Sequence, residues 1–254
     1  MRGISLSLLL LTAFFVDLFI PHSLANSAFS LGYFSQRQLK QYAQSITVRV
    51  FPKDNPRVGG SGVLISQDGN LYTVVTNFHV INKRDTSYQI QTPDKKVYSA
   101  DKLYQGSSEP EQDIGFLVFY SQNRKYSVID TKSPQRFKRG MFVIAGGFPF
   151  QDNLQQSQVF ASSHGRIAKI LNRPFIGGYQ IGYTNSIING MSGGPVLNYY
   201  GELIGINGMR QEPLFGNPYV FQDGSTISDT DWNEFSSLSW LIPVKSIKKL
   251  QKHY

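Results

Sequence analysis

The chain has 254 residues, a length that fits one large all-β domain or two half-domains sharing an interface. It contains no cysteine, which excludes disulfides, thiolate metal sites and a cysteine nucleophile. A formal charge of +8 favours acidic partners, but the small clusters Arg136-Phe137-Lys138-Arg139 and Lys245, Lys248, Lys249 and Lys252 read as solvated surface, with no nucleic-acid signature.

Residues 1–25 read as a secretory signal peptide. Arg2 precedes an apolar run from Ile4 to Ile20, and Ser23-Leu24-Ala25 supplies a small-x-small cleavage pattern ending at Ala25. Asp17 inside the run argues against a permanent anchor, so no integral span is expected once the signal is removed. The expected address is therefore an exported one: periplasm, lumen or medium.

An N-terminal segment, 26–44, leads into a short predicted helix over Leu39 to Ser45. The alternation in Ile46 to Phe51 predicts the first strand. Gly59-Gly60-Ser61-Gly62 opens a second, Val63 to Ser66, and the hairpin signal Asp68-Gly69 returns the chain as Leu71 to Thr76. That strand ends at Asn77-Phe78-His79-Val80-Ile81. Tyr88 to Gln91, Val97 to Tyr104 and Ile114 to Phe119 complete a first set, and the polar stretch Ser121 to Gly140 reads as a connector. A second set comprises Met141 to Ala145, Gln158 to Ala161, Arg166 to Leu171, Tyr179 to Thr184, Val196 to Leu197, Glu202 to Ile206 and Ser239 to Val244. Pro243 to Leu250 reads as a terminal helix, with Pro in its first turn and lysines in its C-terminal half.

Two sets of short strands with regular turns imply two small antiparallel barrels or one large sandwich. The expected boundaries are 45–130 for the first barrel and 131–254 for the second. The long stretch Met209 to Ser237 breaks the strand rhythm, being polar and rich in Gly, Pro, Asp and Ser. Its Asp229-Thr230-Asp231-Trp232-Asn233-Glu234 begins like a calcium loop but lacks the glycine and distal glutamate, so no metal is expected.

The chemistry centres on Asn189-Gly190-Met191-Ser192-Gly193-Gly194-Pro195-Val196. Read alone, this stretch supports either a nucleophile on a tight turn or a glycine-rich bend. Three histidines beyond the signal could serve as its base. His253 sits next to the terminus, and His164 falls in Ser162-Ser163-His164-Gly165, which reads as a turn between strands. His79 stands at a strand end, and Asp113 at the mouth of an apolar strand, where an acid is either solvent-facing or held against a histidine. The order His79, Asp113, Ser192, with two members in the first strand set and one in the second, suits a site at the interface of two barrels.

Gly59 to Ile65 with Val75-Thr76-Asn77-Phe78-His79-Val80, Asp113 to Leu117, Asn189 to Val196 with Gly201 to Asn207, and Ile242-Pro243-Val244 together resemble the trypsin-like serine proteases, on the bacterial HtrA/Deg side. The resemblance covers most of 45–250. It implies a chymotrypsin-like double antiparallel β-barrel with a C-terminal helix, and peptide-bond hydrolysis without a cofactor. By it, Ser192 is the nucleophile, His79 the base, Asp113 its orienter, and the amides of Gly190 and Ser192 the oxyanion hole. The implied partner is a protein or peptide substrate. The oligomeric state stays open, and no PDZ module is expected after position 254. A protease-fold binding module that no longer cuts is the alternative reading.

Three departures accompany the resemblance. Met191 stands where digestive members have the aspartate that pairs with a new N-terminus, so activation by terminus insertion is not expected. Gly208 stands where members usually carry a Ser or Thr touching the catalytic aspartate, so a looser Asp113 is expected. Ser186, at the position of the primary pocket floor, is neutral and predicts no strict cleavage after Arg or Lys. Gly208, Met209 and Arg210 are expected to wall that pocket, with the 209–237 loop as a lid beside it.

Overall fold

The computed structural model describes residues 33–83, 85–103, 112–134, 137–150, 158–213 and 216–251. The signal-peptide reading, residues 26–32 of the N-terminal segment, Arg136, Lys252 and His253 lie outside the described residues. Within 33–254, helix α1 (Gln36–Ile46) comes first. Ser35 and Gln38 close a reciprocal capping box at its N-terminus, and Leu39, Ala43 and Ile46 form its buried stripe.

Six strands follow: β1 (Thr47–Pro52), β2 (Gly60–Asp68), β3 (Leu71–Thr76), β4 (Tyr88–Gln91), β5 (Val97–Lys102) and β6 (Gly115–Tyr120). They close into an antiparallel barrel in the order β1-β2-β3-β6-β5-β4. Strands β7 (Phe142–Gly147), β8 (Ala161–Ile170), β9 (Ile181–Tyr183), β10 (Pro195–Asn198), β11 (Leu203–Met209) and β12 (Ser239–Pro243) close a second, in the order β7-β8-β9-β12-β11-β10. The two orders are the same path drawn twice. Closure leaves no free sheet edge in either barrel. This is the double-barrel architecture expected above, and it excludes the single sandwich.

The Asp68-Gly69 hairpin forms as expected, with Asp68 opposite Leu71 and Gly69 at φ +57°. Val48, Val50, Leu64, Val74, Ile90 and Leu117 fill the first barrel, and Val143, Ala145, Tyr183, Val196 and Leu241 the second. A third apolar cluster joins α1, Val63, Val75, Phe116, Ile144 and Leu197 to aromatic residues of the long 209–237 stretch. The chain ends in α4 (Val244–Gln251), which buries Val244 and Ile247.

One expectation needs correction. Ser162-Ser163-His164-Gly165 is no turn: it lies inside β8, with His164 opposite Ile144 and stacked on Phe142 at 5.6 Å. Gly165 is there because a Cβ would lie 2.2 Å from Asn185 Oδ1, a close approach that mimics turn composition in the sequence. β3 spans Leu71–Thr76 as expected, and residues Phe78–Ile81 after it form a one-turn helix, α2. The stretch after Met209 has structure of its own, although Asp229, Thr230, Asn233 and Glu234 are exposed. It carries a 3-10 turn (Asp229–Asp231) and helix α3 (Trp232–Ser236), and it buries Tyr219 and Phe235 against Phe175 and Trp240.

Candidate active site

Helix α2 exists to aim one side chain. Its two buried residues, Val80 and Ile81, anchor it to the first barrel, while His79 on the other side stays about half exposed, at 47% for its side chain. Gly115, at the start of β6, lets α2 come close: a Cβ there would meet Ile81 Cδ1 at 2.6 Å. That approach sets Asp113 beside His79.

The pair is tightly made. His79 Nδ1 lies 2.6 Å from Asp113 Oδ2, and the His79 backbone N–H donates to Oδ1 at 2.8 Å. Asn77 does not cap its own helix; its side-chain amide donates to the Asp113 carbonyl at 2.9 Å. The Tyr179 hydroxyl donates to Asp113 Oδ2 as well. A carboxylate that already accepts from the His79 N–H and the Tyr179 hydroxyl acts as acceptor toward the ring as well, which assigns the proton to Nδ1 of His79 and the lone pair to Nε2. Burial, with the Asp113 charge second, pushes the Tyr179 phenol well above its ordinary range, so it remains a donor.

Ser192 comes from the second barrel but is held by the first. Its carbonyl accepts from Ser61 N–H at 2.8 Å, and a Cβ on Gly60 would touch both the Ser192 carbonyl oxygen and the methyls of Val80, the residue after His79. The Ser61 hydroxyl, fully buried, donates to the Gly190 carbonyl at 2.8 Å and accepts from Phe148 N–H at 2.8 Å. From the other side, Asn207 clamps the loop: its amide reaches the Met191 carbonyl at 3.2 Å, its carbonyl accepts from Gly193 N–H, and its N–H donates to the Gly194 carbonyl. Gly193, at φ +82°, passes so near Ser61 and Thr76 that a Cβ would lie 2.3 Å from the Ser61 carbonyl oxygen.

Gly190 has φ +95°, and among the described residues neither its N–H nor that of Ser192 donates to a protein acceptor. Met191 is buried with Met141, Val143 and Ile181, an apolar socket.

The residues expected around a primary pocket are dispersed in character. Ser186 is exposed. Met209 packs on the core, and Arg210 turns its Nε to the Gln211 carbonyl at 3.2 Å. Gly208 lies against the Tyr179 ring. Sequence reasoning missed Ser61, Asn207 and Tyr179. The first two sit inside quoted motifs but looked like spacers, and Tyr179 is 66 residues from its partner.

Two closed six-stranded barrels, with a bonded His–Asp pair on the first and a glycine-framed serine loop tied to the first by Ser61, fit the trypsin-like peptidase class, and the chain belongs to that family: the trypsin-like peptidase domain matches residues 60–206. Its similarity is to proteases of the HtrA/Deg type. A probable periplasmic serine endoprotease DegP-like from Marinomonas sp. (strain MWYL1) is 30% identical over 190 residues, covering 74% of this chain and 36% of that protein. The corresponding Bartonella henselae protein is 30% identical over 192 residues, covering 72% and 36%. Serine protease HTRA1 of Xenopus laevis is 28% identical over 170 residues, covering 63% and 33%. The chain thus spans about a third of the length of these curated relatives.

Proposed function

We propose that the protein is an exported serine endopeptidase working through His79, Asp113 and Ser192. The observation that carries this reading is the His79–Asp113 bond on one barrel, placed where the Ser192 loop is riveted to the same barrel by Ser61. Ser192 Oγ attacks the scissile carbonyl. His79 Nε2 takes its proton and returns it to the leaving amine, while Asp113 holds the tautomer and offsets the imidazolium charge. Water then repeats the sequence on the acyl-enzyme. The N–H groups of Gly190 and Ser192 stabilise the tetrahedral oxyanion, each worth roughly 3 kcal/mol. His79 carries every proton transfer and the two amides offset the oxyanion charge, so the reading needs no cofactor.

Ser186 is assigned to the floor of the primary pocket, and Gly208, Met209 and Arg210 to its wall. A neutral Ser186 favours small or apolar side chains over Arg or Lys. Export is supported by the apolar N-terminal run and by relatives named as periplasmic. Among the described residues no helix is long and apolar enough to cross a membrane.

The test compares residues 26–254 with the Ser192→Ala variant on unfolded casein. Degradation by the parent alone is expected. A folded parent that binds casein without cutting it would contradict the enzyme and favour the binding module.

A further inference from the structure

The Asp113 carboxylate is held from two sides. The first barrel supplies His79 N–H and Nδ1–H, and the second supplies the Tyr179 hydroxyl. Tyr179 sits on a turn that grips the same residue through its backbone: Asp113 N–H donates to the Gly177 carbonyl at 2.8 Å, and Phe175 N–H closes the turn on the Tyr179 carbonyl at 2.9 Å. The turn is in turn tied to the long 209–237 segment, through Ile176 N–H to the Val220 carbonyl at 2.8 Å and a bridge between Phe175 and Phe221.

Gly208 makes room for this arrangement. A Cβ on residue 208 would lie 2.1 Å from Tyr179 Cε1 and 2.6 Å from its hydroxyl oxygen. The first distance means that any side chain at 208 expels the tyrosine ring. The second means that a hydroxyl carried on residue 208 would occupy nearly the spot from which Tyr179 now donates. Position 208 and residue 179 are therefore two mutually exclusive sources of one hydrogen bond to Asp113.

We propose that Tyr179 is the positioning residue that fixes the Asp113 carboxylate against His79, and that Gly208 is glycine in order to admit it. Resting on the triad reading above, this makes the 173–179 turn and the 209–237 segment behind it a buttress of the catalytic aspartate. Without the phenol, Oδ2 loses the only donor it has from the second barrel among the described residues, the carboxylate is freer to turn, and its charge is less offset.

The test uses the purified protein and five variants. Tyr179→Phe keeps the ring and removes only the donor. It is expected to lower kcat/KM about tenfold, the loss falling in kcat with KM unchanged, because a hydrogen bond to a charged group is lost away from substrate. The acidic limb of its kcat/KM–pH profile moves to higher pH, since a less offset carboxylate holds the imidazole proton more strongly. Tyr179→Ala falls at least as far. Tyr179→Ala with Gly208→Ser recovers several-fold over Tyr179→Ala, and Tyr179→Ala with Gly208→Ala does not, because only serine restores the donor. A second readout needs no turnover: the downfield proton resonance of His79 Nδ1–H, assigned by its loss in His79→Gln, shifts or broadens in Tyr179→Phe. A folded Tyr179→Phe protein with the parent's kcat/KM, pH profile and resonance overturns the proposal. A parent that never cleaves overturns the triad reading instead, and the resonance then decides the role of Tyr179 by itself.

Discussion

Ser61→Ala removes one oxygen atom and separates the account from a merely descriptive one. That hydroxyl is fully buried and bonds two backbone groups, donating to the Gly190 carbonyl and accepting from Phe148 N–H, both at 2.8 Å. The vacated space is about one oxygen atom, too small for a water to enter. Each orphaned group then bears a desolvation penalty of about 1–3 kcal/mol, and partial relaxation brings the pair to about 3 kcal/mol. For a folded unit of this size, that corresponds to a fall in Tm of about 6–12 °C. Function suffers separately, because the freed Gly190 carbonyl lets the peptides presenting the oxyanion donors turn. A decrease of about tenfold in kcat with little change in KM is expected. Calorimetric unfolding and steady-state cleavage of a fluorogenic peptide report the two effects. A variant melting within about 1 °C of the parent, with the same kcat, would refute the claim that the first barrel holds the nucleophile loop through this hydroxyl.

Gly193→Ala forces a Cβ to 2.3 Å from the Ser61 carbonyl oxygen at φ +82°, so it should destabilise by more than about 3 kcal/mol and abolish labelling by a fluorophosphonate. Phe175→Ala opens the aromatic cluster around a fully buried ring; a loss of about 3–5 kcal/mol by denaturant unfolding is expected, with a fall in kcat because the same turn carries Tyr179. Burial pushes the Tyr219 phenol up to about 12 in the folded state. The stability this tyrosine contributes is complete below about pH 10, its unfolded value, and is lost as the pH climbs through the folded value. Melting temperatures taken from pH 9 to 12 should fall, less steeply in Tyr219→Phe. At pH 7 that variant should be as stable as the parent or more so, since among the described residues the Tyr219 hydroxyl has no partner.

The architecture was legible because closed antiparallel barrels are written locally, in alternation such as Thr47 to Phe51 and in turns such as Asp68-Gly69. The site was legible as motifs: His79 and Asp113 each stand at a strand end, and their side chains meet at 2.6 Å. What the sequence concealed is what bonds across distance. Ser61 and Phe148 are 87 residues apart, and no spacing rule links them. Gly208 suggested a loosened aspartate because a missing side chain looks like a missing contact, whereas its absence admits a phenol from the turn that precedes β9. The segment after Met209 read as a polar break in the strand rhythm because its polar residues outnumber Tyr219, Phe221, Trp232 and Phe235, which follow no helical or strand period; yet Tyr219, Phe221 and Phe235 meet Phe175, and Trp232 packs against Tyr219.

The most direct test of the central claim is site-mapped labelling of the folded protein with a fluorophosphonate, followed by peptide mass spectrometry. The account predicts one adduct, on Ser192, that disappears in His79→Ala although Ser192 is still present and the variant still folds. Labelling that persists undiminished in His79→Ala, or a folded parent in which Ser192 stays unmodified, would contradict a serine activated by the His79–Asp113 pair.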